Sequence, residues 1–371
     1  VVRPILTLLG IALFAACAHR GAIVIEHVNV VDVASGIIRP DQRVVIASRE
    51  RRVIDGSGKF LIPALWDMHV HVASEAALAE FVRWGVTGVR DMGNELPDLL
   101  ALRRRIESRE LVGPRLIFGG PQLAGPPYPA TASRRIVNDA AEAEAAVREL
   151  AAQGVDFIKV WEGVPRDAFF AIARAAREHR LPFAGHVPDS VSPAEASDAG
   201  QKSIEHMEFV PPRCLPIFEG RTAPADCDAL LETTLQRLAR NGTRLDPTVG
   251  SFRNFVGPER FPPLFAAFRR IAAPMIRRSG VRILAGTDVG SMNIVPGKSL
   301  HDELRLLVDA GWTPLEALRA ATINATELLG LPPGDDAVLL DGNPLDDITN
   351  TARIAAVIRG GTFSRGGGVA K

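Results

Sequence analysis

Cysteine is scarce in this chain, at three residues in 371, which excludes a metal site built on thiolates. One tyrosine and four tryptophans offer no aromatic platform on which nucleic-acid bases would stack. Neither sign of charge is in excess: 43 Lys+Arg face 43 Asp+Glu, so there is no basic footprint for a nucleic acid. No internal repeat with a period of roughly 20 to 50 residues is visible, nor any low-complexity tract. The apolar run at 5–14 is too short to span a bilayer.

What is present is material for one large core. At 371 residues and 47% hydrophobic content, the chain suits an α/β barrel with a small appendage better than two equal domains. The first residues read as a targeting segment, with Arg3 as a thin positive region ahead of the apolar run. Residues 13–17 resemble a bacterial lipobox ending on Cys17, with Phe14 where an aliphatic residue is usual. Residues 1–17 are therefore expected to form a signal peptide. Lipidation at Cys17 would make a lipoprotein attached to the membrane, in the periplasm or on the outer cell surface; plain secretion is the alternative. Cys214 and Cys227 remain, around a proline-rich stretch at 211–224. In an oxidising compartment they are expected to pair, the alternative being two free thiols.

Strand-like runs at 23–33, 43–47 and 52–55 have counterparts at 337–340 and 354–360. Both termini are thus expected to build one small β-sandwich domain from 22–60 and 334–371. Between them, eight strand candidates alternate with amphipathic stretches: 66–72, 88–91, 115–118, 157–161, 183–186, 203–206, 244–246 and 282–286. That alternation predicts a (β/α)8 TIM-type barrel over 61–333, with its chemistry at the strand C-termini.

Residues that suit a hard or borderline divalent cation fall at the ends of the first, fourth, fifth, sixth and eighth strands. His69 and His71 lie two apart, so both project to one face of a strand and can share a cation. Asp67 is in phase with them as an orienting group. Lys159, commonplace as a solvent-facing charge, would sit buried beside two cations here and can add carbon dioxide to become a bridging carbamate. His186 and His206 are expected on the second metal, and Asp288 on the first as general base. Glu205 precedes His206 and is expected to face away, into helix packing or a surface pair. His19, His27, His179 and His301 are read as structural, His179 at a helix end where a cation suits the dipole. Tyr128, Trp161, Glu162 and Arg213 are candidates for lining the mouth; Arg213 either grips a carboxylate or is a solvated loop charge.

These motifs resemble the amidohydrolase superfamily, in its binuclear branch with a carboxylated lysine, closest to imidazolonepropionase-like and Xaa-Pro dipeptidase-like members. The resemblance runs from about Phe60 to Leu331. It is carried by 60–71, ending Asp67-Met68-His69-Val70-His71, and by Gly286-Thr287-Asp288 through Pro296-Gly297 and Leu300-His301-Asp302-Glu303-Leu304 to Ala321-Thr322-Ile323-Asn324-Ala325-Thr326. It implies His69, His71 and Asp288 on one metal, His186 and His206 on the other, Lys159 bridging, and zinc as the metal. Two connections, 46–53 and 331–341, are shorter than in the family, so a trimmed sandwich is expected.

The function expected is hydrolysis of an amide or peptide bond in a dipeptide or N-acyl amino acid by a metal-bridging hydroxide. A lactonase, cyclic amidase or phosphotriesterase would use the same centre. A non-enzymatic metal- or ligand-binding lipoprotein is the third reading. The partner expected is a small-molecule substrate, without nucleic acid; homo-oligomerisation is left open.

Overall fold

A computed structural model of the chain describes residues 21–365 apart from 73, 292, 293 and 333. The leader and Cys17 therefore lie outside the described residues. In chain order the elements begin with strands β1 (Gly21–Asp32), β2 (Ile37–Ser48), β3 (Arg52–Asp55), β4 (Phe60–Pro63) and β5 (Leu65–Val70). There follow α1 (Glu75–Arg83), β6 (Val86–Asp91), α2 (Leu96–Glu107), β7 (Arg115–Phe118), β8 (Gln122–Ala124) and β9 (Arg134–Ile136). Next come α3 (Ala140–Ala152), β10 (Ile158–Val160), α4 (Arg166–Glu178), β11 (Phe183–Gly185), α5 (Pro193–Asp198) and β12 (Ser203–Glu205). After α6 (Cys227–Asn241) and β13 (Arg244–Asp246), six helices run on: α7 (Val249–Val256), α8 (Phe261–Ala267), α9 (Ala273–Ser279), α10 (Lys298–Asp309), α11 (Pro314–Ala320) and α12 (Ile323–Leu328). Strands β14 (Ala337–Leu340), β15 (Ile354–Arg359) and β16 (Thr362–Arg365) close the described chain.

The two ends of the chain make one sheet. Its seven strands run β16-β15-β14-β4-β1-β2, with β3 also on β1. The expected sandwich is thus a single continuous hydrogen-bonded sheet, and the reason lies in β1. His27 adopts φ +58, and the register of β1 against β2 shifts between Ile25 and Val28 and again before Val30. Such bulges bend a strand and strengthen its twist. One strand can then pair β3 through Ile23–Glu26 and β4 through Asn29 and Val30. Phe60–Pro63, expected to open the barrel, belongs to this sheet, parallel to β1 and antiparallel to β14. Ile23, Ile25, Leu61, Leu339 and Ile358 form its apolar interior.

The middle of the chain holds parallel strands with helices between them. Strands β5-β6-β7 form one sheet and β13-β12-β11-β10-β8-β9 another. Asp156 N donates to Phe118 O at 2.9 Å, linking the strand that leads into β10 with β7. On the far side, parallel bridges Leu245↔Ile283 and Val70↔Val289 connect β13 and β5 through the segment between α9 and α10. Strands β8 and β9 were not anticipated, being three residues each without a readable period. The segment 282–286, expected as a full strand, pairs only at isolated bridges. It is held on both sides, Leu284 N donating to Leu245 O at 2.7 Å and Ala285 O accepting Met68 N at 2.9 Å, and just beyond it the Asp67 carboxylate accepts Thr287 N at 3.0 Å and Thr287 Oγ1 at 2.7 Å.

The helices follow their local chemistry. Helix α5 begins in a capping box between Ser192 and Glu195, and α11 in one between Thr313 and Glu316. His179 is the C-cap residue of α4, the helix end foreseen for it. His301 is buried in α10, with Nδ1 2.9 Å from Thr351 Oγ1 and Nε2 3.0 Å from Trp84 O. Among the described residues no helix is long and apolar enough to cross a membrane.

Cys214 and Cys227 are disulfide-bonded across 13 residues, joining the 3-10 turn Pro212–Glu219 to the start of α6. Closing a loop of that length contributes about 3 kcal/mol in the chain-entropy account. The double variant Cys214→Ser/Cys227→Ser is expected to lose about that much stability in urea unfolding. A variant as stable as the non-reduced parent would show that the bond constrains nothing.

Candidate metal centre

The strand ends bring the predicted residues to one place. His69 lies on β5, and His71 follows just beyond its end. His69 Nε2 is 3.7 Å and His71 Nε2 3.3 Å from Asp288 Oδ1. His206 stands between the imidazoles, its ring centroid 4.9 Å from that of His69 and 5.0 Å from that of His186. Lys159, on β10, is fully buried, and its Nζ has no hydrogen-bond partner among the described residues. Two glycines make the space. A Cβ on Gly185 would lie 2.1 Å from Val160 O and 2.9 Å from Lys159 Cδ, and one on Gly286 would lie 2.6 Å from His69 Cβ.

Three of the histidines are oriented through Nδ1. His69 Nδ1 is 3.0 Å from Glu205 Oε2, and His71 Nδ1 is 2.9 Å from Gly93 O. A carbonyl or carboxylate oxygen only accepts, so Nδ1 carries a proton in both rings, which points the Nε2 of each ring toward Asp288. His206 Nδ1 meets Thr248 Oγ1 at 2.7 Å, which turns its Nε2 inward in the same way. Burial holds His69 well below the ordinary imidazole range, with the Lys159 charge second. Burial likewise takes His186 down to about 3 and His206 to about 4. They are therefore neutral at ordinary pH, the form that binds a cation. For Asp288, burial pushes upward, but the hydrogen bond with His71 and the imidazoles of His69, His206 and His71 around it outweigh burial and hold the carboxyl well below the usual carboxylate range. Burial lowers the Lys159 amine to about 8.

This donor set fits a divalent cation. Ligand atoms of His69, His71 and Asp288 all lie within 4.8 Å of one another. A second group within the same limit is Glu162, His186 and Glu208, two of whose members were not expected as ligands. His186 Nδ1 is 2.5 Å from Glu208 Oε1 yet lacks hydrogen-bonding alignment with it. The buried amine of Lys159, unpartnered and partly neutral, fits a group that reacts with carbon dioxide.

Glu205 corrects the reading of its strand. It is fully buried and faces the barrel interior, not a helix or the surface. Its two oxygens each lie 3.1 Å from Arg90 Nη2, and Oε2 also meets His69. The two-residue alternation was expected to place His206 opposite Glu205, but His206 adopts φ +57. That left-handed turn ends the strand and brings the imidazole round to the site its neighbour supports. Asp288 repeats the device with φ +59, directly after Thr287 turns to Asp67. Asp67 also accepts His69 N at 3.4 Å, so its orienting role acts on the backbone.

Arg90, Asp246, Glu208, Glu303 and Ser251 were missed. Arg90 sits in the apolar run of β6, and a charge inside such a run was the available signal. It also donates from Nε to Met68 O at 2.7 Å and from Nη1 to Ser203 Oγ at 2.8 Å. Asp246 is buried with both carboxylate oxygens unbonded; burial and then Glu205 push it well above the ordinary range. Glu303 accepts Val249 N at 2.8 Å and Gly250 N at 2.7 Å, fixing the start of α7. From α7, Ser251 Oγ donates to Asp288 Oδ2 at 2.7 Å.

Of the mouth residues, Tyr128 lines a cleft of about 730 Å³ that reaches His186, His206 and Asp288. Its hydroxyl donates to Glu162 Oε2, and its ring lies 4.7 Å from that of Trp161. Trp161 backs this wall, 6.1 Å from the His186 ring, without lining the cleft. Arg213 is not brought to the cleft: it forks onto Asp226 at 3.1 and 2.7 Å, with both side chains largely exposed. A partner thirteen residues away in the same surface loop takes the guanidinium.

Known proteins match along most of the chain. The model of the Amidohydrolase family matches residues 60–363. An uncharacterized protein of Mycobacterium tuberculosis is 28% identical over 319 residues, covering 76% of this chain and 78% of its own. The structure of bottromycin amidohydrolase superposes with TM-score 0.77 at 25% identity, over 93% of this chain and 87% of that one. A Xaa-Pro dipeptidase with methionine bound in its active site superposes with TM-score 0.73 at 22% identity, over 93% of this chain and 100% of that one.

Glu205 offers a direct check on this geometry. Glu205→Gln removes the charge that orients His69, and outer partners of this kind are typically worth about 10–100-fold in metal affinity. Competition against a chelator is expected to show a loss of that size. Undiminished affinity would separate the Glu205 contact from the site.

Proposed function

The chain belongs to the amidohydrolase family and is a hydrolase of carbon–nitrogen bonds, and on that footing we propose a binuclear metal enzyme that cleaves an amide or peptide bond of a small substrate. Its fold is a TIM-like barrel with an added domain. We read the barrel as the eight-stranded (β/α)8 class over 61–333, and the sheet of 22–60 and 334–371 as the second domain. The observation that carries the reading is the meeting of four imidazoles and the Asp288 carboxylate above a buried amine with no partner of its own.

In this proposal His69, His71 and Asp288 would hold one divalent cation, His186 and His206 would hold the other, and Lys159, once carboxylated, would serve both; zinc is the metal we assign. Such a pair lowers the pKa of a shared water and polarises the scissile carbonyl. The chain's own residues do the rest. Asp288, ionised and held by Ser251 through Oδ2, accepts the proton of the attacking water and returns it to the departing nitrogen. Glu205 and the Gly93 carbonyl keep the His69 and His71 rings in one tautomer. Tyr128 and Glu162 stand at the entrance as a hydrogen-bonded pair. The bonded Cys214 and Cys227 support an oxidising compartment, and with the leader expected at 1–17 we place the enzyme in the periplasm or on the outer surface.

Two variants test the assignment. Asp288→Asn is expected to lower kcat by about 100–10,000-fold while leaving much of the metal bound. Full activity in that protein would refute the base. Lys159→Ala is expected to bind at most one metal per chain by elemental analysis, and two would contradict the bridge.

A further inference from the structure

The cleft over the metal centre is acidic and apolar at once. Its charged lining side chains are Glu162, Asp189, Glu208 and Asp288, and no lysine or arginine lines it among the described residues. The guanidinium nearest to this wall, that of Arg134, lies 3.8 Å over the Trp161 ring and is not on the lining. Arg213, the one cation expected there, is engaged by Asp226. Around the site itself a substrate carboxylate would therefore be desolvated with no lysine or arginine on the lining to meet it.

The cleft continues into a second, narrower pocket of about 240 Å³. Met207, Leu215, Pro247, Phe252 and Phe255 line both, so the two are one passage. Beyond them the inner wall adds Phe218, Phe265 and Phe268 from the 3-10 turn, α8 and the turn that follows it, and its charged members, Glu219 and Arg260, pair with each other at 4.0 Å. Helix α7 spans both regions: its Ser251 holds Asp288 while its Phe252 and Phe255 face the passage. Phe255 is 75% exposed and Leu215 41%, an apolar rim left open to solvent directly above the site. Aromatic side chains so placed have an evident partner only when an apolar group fills the pocket.

We propose that the substrate is an amide whose acyl part carries a bulky, flat apolar group that fills the Phe252–Phe265–Phe268 pocket, and whose amine part bears no free carboxylate. This rests on the amide-hydrolase reading above and narrows it. Within the dipeptide and N-acyl amino acid classes it selects the carboxamide or otherwise uncharged forms.

The experiment uses the metal-loaded full chain and four compounds: acetyl- and phenylacetyl-alanine, and acetyl- and phenylacetyl-alaninamide. Both kcat/KM and equilibrium binding by calorimetry are measured for each. Phenylacetyl-alaninamide is expected to exceed both its acetyl counterpart and its carboxylate counterpart by about tenfold or more, a modest margin for a filled apolar pocket. In Phe265→Ala the ratio of phenylacetyl to acetyl compound is expected to fall towards one, with Phe265→Leu intermediate. Binding with this selectivity but no turnover would overturn the amide-hydrolase reading alone. Equal binding of acetyl and phenylacetyl compounds, a preference for the carboxylates, or no binding of any of the four would overturn the inference.

Discussion

A guanidinium enclosed in the barrel, that of Arg90, has to be neutralised where water does not reach it. Glu205 does this from β12, with Ser203 Oγ also on the carboxylate at 2.5 Å. The same carboxylate then presents Oε2 to His69, so the ring that faces Asp288 is oriented by a buried ion pair. Arg90 Nε caps Met68 O, which ties β6 to β5 at the level of the site. One buried pair thus connects three strands and one metal-type ligand. Asp91, the next residue, accepts Val72 N and Gly93 N, shaping the turn whose Gly93 carbonyl holds His71.

The sheet built by the chain ends is not an independent ornament on this barrel. Ala64 N donates to Asp336 O, and Trp66 N to Ala321 O, where β4 passes into β5. Arg319 on α11 donates to the carbonyls of Val33 and Ala34 just beyond β1. His301 on α10 meets Thr351, which lies between β14 and β15. Both ends of the chain pair onto β4, the strand that also leads into β5.

Polar and apolar functions are divided along α7. Its first residues are held by Glu303, and the residue before them, Thr248 at φ +42, holds His206. Its later residues carry the aromatic wall. The disulfide staples the facing wall, the turn that holds Leu215 and Phe218. One short helix thus carries both the hydroxyl that holds Asp288 and aromatic residues of the passage, opposite a covalently pinned turn.

Much of the architecture was legible. Alternation of apolar runs with amphipathic stretches located seven of the parallel strands, because strand and helix periods are local properties of the chain. It missed β8 and β9, too short to show a period, and overstated 282–286, which pairs with its neighbours only at isolated bridges. Composition and spacing by themselves determined which side chains could meet at the strand ends and that Cys214 and Cys227 had each other as available partners. Only the tertiary structure decided that Glu205 turns inward to Arg90, that left-handed turns at His206 and Asp288 bring adjacent residues to one site, and that Arg213 is drawn to Asp226, away from the cleft wall around the site. The physical reason is that the direction of a buried or paired charge is set by its counter-charge, and those partners lie on other elements or across a loop whose course no local period encodes.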